Sequence, residues 1–367
     1  MNPSLPKWID FGLIPVLNVI LAFVVSGIVV AFIGENPFEA MRLMIVGSLG
    51  SGYGIGFTLY YATSFVFTGA AVAVAFHASQ FNIGGEGQAG VAGLGVAFVC
   101  LWLDQTHWLI ALPVAILGGA LFGGVWAGIP AYLQVNRGSH VVITTIMFNF
   151  IASALLVYTL VNVLKVDGAM APESRKFAEG AHIPYLHDIL GGLGIEMSRT
   201  PLNIAFFLAI AVLVGMYFLI WRTDLGYEIR AFGQSEEAAQ YAGISAFKIV
   251  MIAMLISGGI AGLMAVNTVM GAKHQLVLDA VRGAGFVGIA VALIGRSHPI
   301  GILFAAILFG MLYQGGAELA FEMPAITRDM IVVIQSLVIM FTGALENLVR
   351  IPIARAYKMA ALKREYQ

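Results

Sequence analysis

The chain has 367 residues, 60% of them hydrophobic and 11% charged, with a mean hydropathy of +0.91. Soluble domains carry about 25% charge and about 45–50% apolar residues, so this composition is that of an integral membrane protein. A net charge of −1, with no basic stripe interleaved with aromatics, excludes nucleic acid as a partner.

Met1 to Asp10 lacks a basic n-region and an Ala-x-Ala cleavage pattern, so the first apolar run is expected to be retained as a helix. Each crossing takes about 20 apolar residues. Spans are expected at 9–33, 62–78, 86–103, 108–132, 141–164, 202–221, 248–270, 284–296, 299–318 and 328–349. The fold class is therefore an all-α integral membrane protein of about ten transmembrane helices, with broken or re-entrant segments allowed where protein buries them. The run 284–296, bounded by Gly283, Gly285, Gly295 and Pro299, is too short for a full crossing and reads as a half-helix. Residues 43–60 hold Gly47, Gly50, Gly52, Gly54 and Gly56 and are expected to dip into the membrane without crossing it. The single cysteine, Cys100, sits in an apolar run and reads as a small buried hydrophobe.

Lys and Arg near span ends set the orientation. The tail 350–367 carries Arg350, Arg355, Lys358, Lys363 and Arg364 against Glu365 and is assigned to the cytoplasm. Alternation then places 222–247 and 133–140 inside, 165–201 outside, and the N-terminus with Lys7 inside. Trp102 and Trp108 bracket the short Asp104–His107 turn as interfacial anchors. Within 222–247, Ser235 is suited to cap a short helix whose first turn holds Glu236 and Glu237, with Ala238, Ala239, Gln240 and Tyr241 following and Gly243 ending it. Such a helix is either a solvated connector or a docking element.

Between two apolar runs lies Phe81-Asn82-Ile83-Gly84-Gly85-Glu86-Gly87-Gln88. A carboxylate, amides and glycines are costly in hydrocarbon, which suggests transport. Glu86 reads either as a structural hinge that satisfies backbone donors freed by the glycines or as a direct contact to cargo. With this segment placed at the cytoplasmic end of the second span, the hinge or inner-gate reading of Asn82, Gly84, Gly85, Glu86, Gly87 and Gln88 is favoured, together with Gly283 and Gly285. Asn149, Asn267, Gln314 and Gln335 are polar residues inside spans that either line a substrate path or bond between helices.

The seven histidines show no ligand spacing, and His-Glu-x-x-His is absent. No Gly-x-x-x-x-Gly-Lys-Ser/Thr occurs, so the chain has no phosphate-cradling ATPase loop. The Gly-x-Gly-x-x-Gly at 283–288 lacks an acid about 20 residues on and reads as helix packing. The same reading applies to Gly119/Gly123, Gly124/Gly128 and Gly258/Gly262. Too few ionisable residues lie within spans for a proton relay. No catalytic or metal-ligating constellation is discernible.

Three segments resemble the permease subunits of bacterial ABC importers, in the nucleoside and simple-sugar branch related to ribose and branched-chain amino-acid permeases. The first is Ala73–His77 leading into the octapeptide. The second runs from His140 to Ala152. The third joins Arg230-Ala231-Phe232-Gly233 and Ala238–Ile244 to Gly288–Arg296. Gln234-Ser235 stands where the family often has Asn-Pro, and His140 where it often has an acid. The resemblance implies a single permease domain over 1–367, like that of the vitamin-B12 importer, in a bacterial plasma membrane. It also implies a second, homologous permease, two ATPase subunits that carry Mg-ATP, and an extracytoplasmic solute-binding protein; no cofactor belongs to this chain. Residues 235–243, with Arg230, would couple to the ATPase, and a neutral nucleoside or sugar would pass by alternating access. An ion-coupled secondary transporter is the rival reading.

Overall fold

Hydrocarbon offers no partner for backbone N–H and C=O groups, so an apolar chain of this length closes its hydrogen bonds within helices. The computed structural model describes residues 13–166, 168–192, 194–341 and 349–355, with Pro6, Ile9, Tyr357 and Met359. Lys7, Lys358, Lys363, Arg364 and Glu365, used above for orientation, fall outside these residues, as do 342–348 in the last expected span.

In chain order the helices are α1 (Ile14–Phe32), α2 (Pro37–Leu49), α3 (Gly52–His77), α4 (Gly85–Leu103), α5 (Trp108–Arg137), α6 (Val141–Thr159) and α7 (Leu186–Gly192). They continue with α8 (Ala205–Arg222), α9 (Asp224–Gln234), α10 (Glu236–Tyr241), α11 (Ala246–Gly262), α12 (Ala284–Ile294), α13 (Pro299–Glu322) and α14 (Arg328–Ile339). π-Helical turns follow α6 at Leu160–Leu164 and α11 at Val266–Lys273. Among the described residues β-structure is limited to isolated bridges, Lys165 with Ser174, Glu173 with Val277 and Tyr185 with Asn203.

Among the described residues seven stretches are long and apolar enough to cross a bilayer: Gly52–His77, Gly85–Leu103, Trp108–Arg137, Val141–Leu164, Ala205–Arg222, Ala246–Lys273 and Pro299–Glu322. Val16–Phe32, Ala284–Ile294 and Asp329–Ile339 are apolar but shorter. The half-helix expected at 284–296 is α12, of 11 residues. The glycine-rich segment 43–60 is helical where a dip was expected: α2 ends at Leu49 and α3 begins at Gly52. Serines supply the reason. Ser51 Oγ accepts the Gly54 amide at 3.0 Å and starts α3, while Ser48 Oγ donates to the Met44 carbonyl at 2.8 Å within α2.

The chain divides into two compact units, Met1–Gly54 with Met311–Gln367, and Ile55–Gly310; α3 and α13 each run from one unit into the other. In the first unit α1 packs on α2 and α14. Asn36 caps α2, its side chain accepting from the Phe38 and Glu39 amides. In the second unit α4, α5 and α11 form the centre, with a core that includes Ala92, Val96, Cys100, Ala115, Val266 and Val269. The seam between α5 and α11 is backbone against backbone. A Cβ on Gly258 would strike the Gly123 carbonyl, and one on Gly262 the Gly119 carbonyl. The small-residue pairs of the sequence thus face one another, as close helix contact in a membrane requires. Gly258→Leu is expected to cost about 1–3 kcal/mol by overpacking this seam, read as a lowered midpoint in thermal unfolding of the detergent-solubilised protein.

Candidate functional site at the helix break

After His77 the chain turns at Ser79, whose φ is +57°, and runs without regular structure to the start of α4 at Gly85. Asn82 governs this run. Its Nδ2 donates to Gln88 Oε1 (3.0 Å) and Ser257 Oγ (2.9 Å), and its Oδ1 accepts from the Gly84 amide (2.9 Å) and Gln88 Nε2 (3.0 Å). Ser257 Oγ in turn donates to the Ala71 carbonyl at 2.7 Å. Asn82 and Gln88 are both 1% exposed, so these bonds replace water at a buried break.

The Ala71 contact also fixes depth. Asn82 lies level with a residue six positions before the end of α3, about 9 Å along its axis. The segment therefore leaves the end of α3, where it was expected, and folds back along the bundle before α4 begins. Seven residues of non-helical chain, 78–84, provide the return, which hydropathy does not register.

Glu86 reaches across to α12. One carboxylate oxygen accepts the Gly283 amide at 2.8 Å and the other the Gly285 amide at 2.9 Å. Gly283, at φ +79°, is the N-cap of α12, so the carboxylate occupies the positive end of that helix. A Cβ on Gly285 would run into the backbone of Glu86, so only glycine lets the two helix starts meet this closely. From α6, Asn149 completes the clasp. Its Oδ1 accepts the Gly87 amide at 2.9 Å and its Nδ2 donates to the Ile83 carbonyl at 3.0 Å. Asn82, Glu86, Gln88, Asn149, Ser257, Gly283 and Gly285 thus form one polar junction joining α3, α4, α6, α11 and α12.

Other polar residues within the expected spans are elsewhere. Asn267, fully buried, donates to Ser64 Oγ at 2.9 Å and the Tyr60 carbonyl at 3.2 Å, and accepts from Asn203 Nδ2 at 3.0 Å. Gln314 belongs to the other unit, where it donates to Glu318 at 3.1 Å. Ser64, Asn203 and Ser257 escaped the sequence reading, although they carry the signal that picked out Asn149 and Asn267, a polar side chain inside an apolar span.

The 224–243 segment is two helices. α10 follows the expected pattern, with Ser235 Oγ accepting the Ala238 amide at 3.3 Å and Gly243 at φ +87° just beyond its end. Ala239 is buried, while Ser235, Glu236, Glu237, Ala238 and Gly243 are exposed. Tyr241, 97% exposed, adds an aromatic to this face. α9 was not anticipated, although its signal is present: Thr223 caps it, and Gly226, Ile229 and Phe232 form a buried stripe at helical spacing. Arg230, on α9, donates to the Gly226 carbonyl at 3.3 Å.

The 165–201 segment is pinned to the ends of the spans. Asp104 takes hydrogen bonds from Arg175 and the Ala178 amide. Burial works against its charge, but those donors and the guanidinium hold the carboxyl below its ordinary range. His182 and His274 stack with ring centroids 3.8 Å apart. His274 Nδ1 donates to the Met270 carbonyl (2.9 Å), which leaves Nε2 to accept from Tyr185 Oη (2.7 Å). Burial, and then the neighbouring His182, lower the His274 pKa to about 4.

An all-helical bundle with several bilayer-length helices, here holding a polar junction at a helix break, is the architecture of a multi-pass membrane protein. The chain belongs to the family described as branched-chain amino acid transport system / permease component, which matches residues 54–343. It is 33% identical over 341 residues to the guanosine ABC transporter permease protein NupP of Bacillus subtilis, covering 92% of this chain and 94% of that protein. It is 30% identical over 341 residues to the glucose ABC transporter permease protein TsgB13 of Haloferax volcanii, covering 92% and 88%. With the nucleoside ABC transporter permease protein NupB of Lactococcus lactis subsp. cremoris the identity is 31% over 320 residues, 86% and 85% of the two chains. No solved structure matches the chain. The protein is accordingly an ABC transporter permease subunit, and ATP hydrolysis resides in a separate ATPase.

Two outcomes follow from these geometries. Glu86→Ala leaves two amides unsatisfied and is expected to destabilise by about 3 kcal/mol, whereas Glu86→Gln, which keeps the shape and loses the charge, costs about 1–2 kcal/mol; thermal unfolding of the two variants checks the order. Because folded His274 binds its proton more weakly than the unfolded chain does, the unfolded chain takes up protons first on acidification, and stability falls as pH drops from 6.5 towards about 4. Melting curves across that window are expected to slope more steeply for the native protein than for His274→Gln.

Proposed function

We propose that this chain is a ten-segment permease, of the architecture of the vitamin-B12 importer, that carries a nucleoside or simple sugar inward through the plasma membrane by alternating access. Seven bilayer-length helices and three shorter apolar ones among the described residues support a count of ten segments. The relatives' names support the cargo class: glucose in one case, guanosine or nucleosides in the others. The guanosine transporter of Bacillus subtilis has two permease proteins by name, NupP and NupQ, both similar to this chain, which supports a second permease as partner. An extracytoplasmic binding protein would deliver cargo to the 165–201 side, the N- and C-termini lying in the cytoplasm.

The observation that carries the mechanism is a run of direct contacts from the exposed helices to the polar junction. A Cβ on Gly233, at the end of α9, would strike the His77 carbonyl, so α9 rests on the last turn of α3. His77 Nε2 in turn lies 3.1 Å from the Ser297 carbonyl, in the loop between α12 and α13. From His77 the chain continues through Ser79 to Asn82 and Glu86, and Glu86 holds the other end of α12. Movement imposed on α9 and α10 by the ATPase would reach both ends of α12. In this reading residues 235–243 are the docking helix. Glu86, Gly283 and Gly285 form the hinge, together with Asn82, Gly84, Gly85, Gly87 and Gln88. Of the three path amides, Asn149 keeps partial exposure and is the one to meet cargo, ahead of Asn267 and Gln314.

Reconstitution with its partner permease, ATPase and binding protein tests this reading. Glu237→Arg reverses an exposed charge and is expected to lower ATP-driven nucleoside uptake by about tenfold or more, with membrane insertion and melting temperature unchanged. Normal uptake by that variant, or native uptake in vesicles lacking the ATPase, would overturn the assignment.

A further inference from the structure

On the outer surface of the second unit, α8 and α13 do not close against each other. Between them lies a groove of about 480 Å³ lined by Ile210, Leu213, Val214, Tyr217, His298 and Leu303, with Pro299 and Ile300 completing its wall. Its rims are apolar and open, Val214 being 51% and Ile300 62% exposed, while Leu213, 5% exposed, forms the floor. Both walls belong to helices long and apolar enough to cross the bilayer, so what meets these side chains is hydrocarbon or another protein.

The groove has one polar end. Tyr217 and Trp221 stack there with centroids 5.7 Å apart, and Trp221 lies 5.4 Å from His298. Arg222 donates to Tyr217 Oη at 3.4 Å, with its guanidinium 5.9 Å from the ring centroid. Arg222 makes no ion pair among the described residues. The nearest acids along the chain are Asp224, in the first turn of α9, and Glu228, which is paired with Lys248 at 2.9 Å. Tyrosine, tryptophan and arginine at a span end mark the headgroup level. From Tyr217 to Ile210 the groove follows α8 for about 10 Å, well within the roughly 15 Å of hydrocarbon in one leaflet.

We propose that this groove holds one acyl chain of an anionic phospholipid, whose phosphate is met by Arg222 and the Tyr217 hydroxyl. An apolar slot that opens sideways and runs from headgroup level towards the midplane matches a lipid tail in shape, length and direction. A guanidinium with no ion pair among the described residues stands at its mouth and gives the charge complementarity that a protein partner's apolar helix would lack.

The transporter with all its subunits, held in nanodiscs of equal phosphatidylglycerol and phosphatidylcholine, provides the test by native mass spectrometry after release into detergent. The native protein is expected to retain phosphatidylglycerol over phosphatidylcholine by about fivefold, the preference one arginine confers near an anionic headgroup. Arg222→Gln is expected to bring the ratio to about one. Leu303→Trp, which fills the slot, is expected to remove one bound lipid per copy of this chain; Ile300→Trp, at an exposed rim position, serves if the first variant fails to fold. Equal ratios in native protein and Arg222→Gln, or unchanged lipid counts in the tryptophan variants, would overturn the proposal. So would efficient crosslinking of Ile300→Cys to the partner permease, which would make the groove a protein interface.

Discussion

A helix that starts within a packed apolar bundle exposes amides with few partners to take them, and the second unit answers that problem at α12. The Glu86 carboxylate closes the Gly283 and Gly285 amides at 2.8 and 2.9 Å. A charge at that depth is costly by itself, as are the free amides; each is tolerated because the other is there. The start of α4 raises the same difficulty, and the side chains of Asn82 and Asn149 answer it at Gly84 and Gly87. Two interrupted helices thus begin beside each other, and their loose ends satisfy one another.

This arrangement depends on close backbone approach, which glycine supplies twice over. Gly285 admits the start of α4, and the α5–α11 seam lets the surrounding helices meet through their main chains. Lipid provides little hydrophobic drive for helix association, so the contact is made by packing, and a single added side chain in the seam has nowhere to go.

Much of this was legible in the sequence, and the exceptions have physical causes. An acid among glycines between apolar runs marked Glu86, and bounding glycines marked α12 as a half-helix, because charge and length are local properties. The pairing of Glu86 with Gly283 was not legible, since 197 residues separate them and backbone amides leave no trace in a sequence. The fold-back of the octapeptide along α3 was not legible, because hydropathy follows side chains and does not see a non-helical chain turning back. Glycines at 47–56 suggested a dip into the membrane; the chain does break at Gly50–Ser51, but Ser51 caps α3 and both sides of the break are helical. α9 could have been found from the 226–229–232 stripe that follows Thr223, whereas the His182–His274 stack joins distant segments and could not.

The length of α12 has a consequence for permeability. Eleven residues make a helix of about 16 Å, roughly half the thickness of a hydrocarbon core of about 30 Å. Along that line the helix is long enough for only half of the crossing. In the transport reading proposed above, a solute passing beside it would have one short constriction to clear, and a small tilt at the capped end would move that constriction's wall without unfolding any helix.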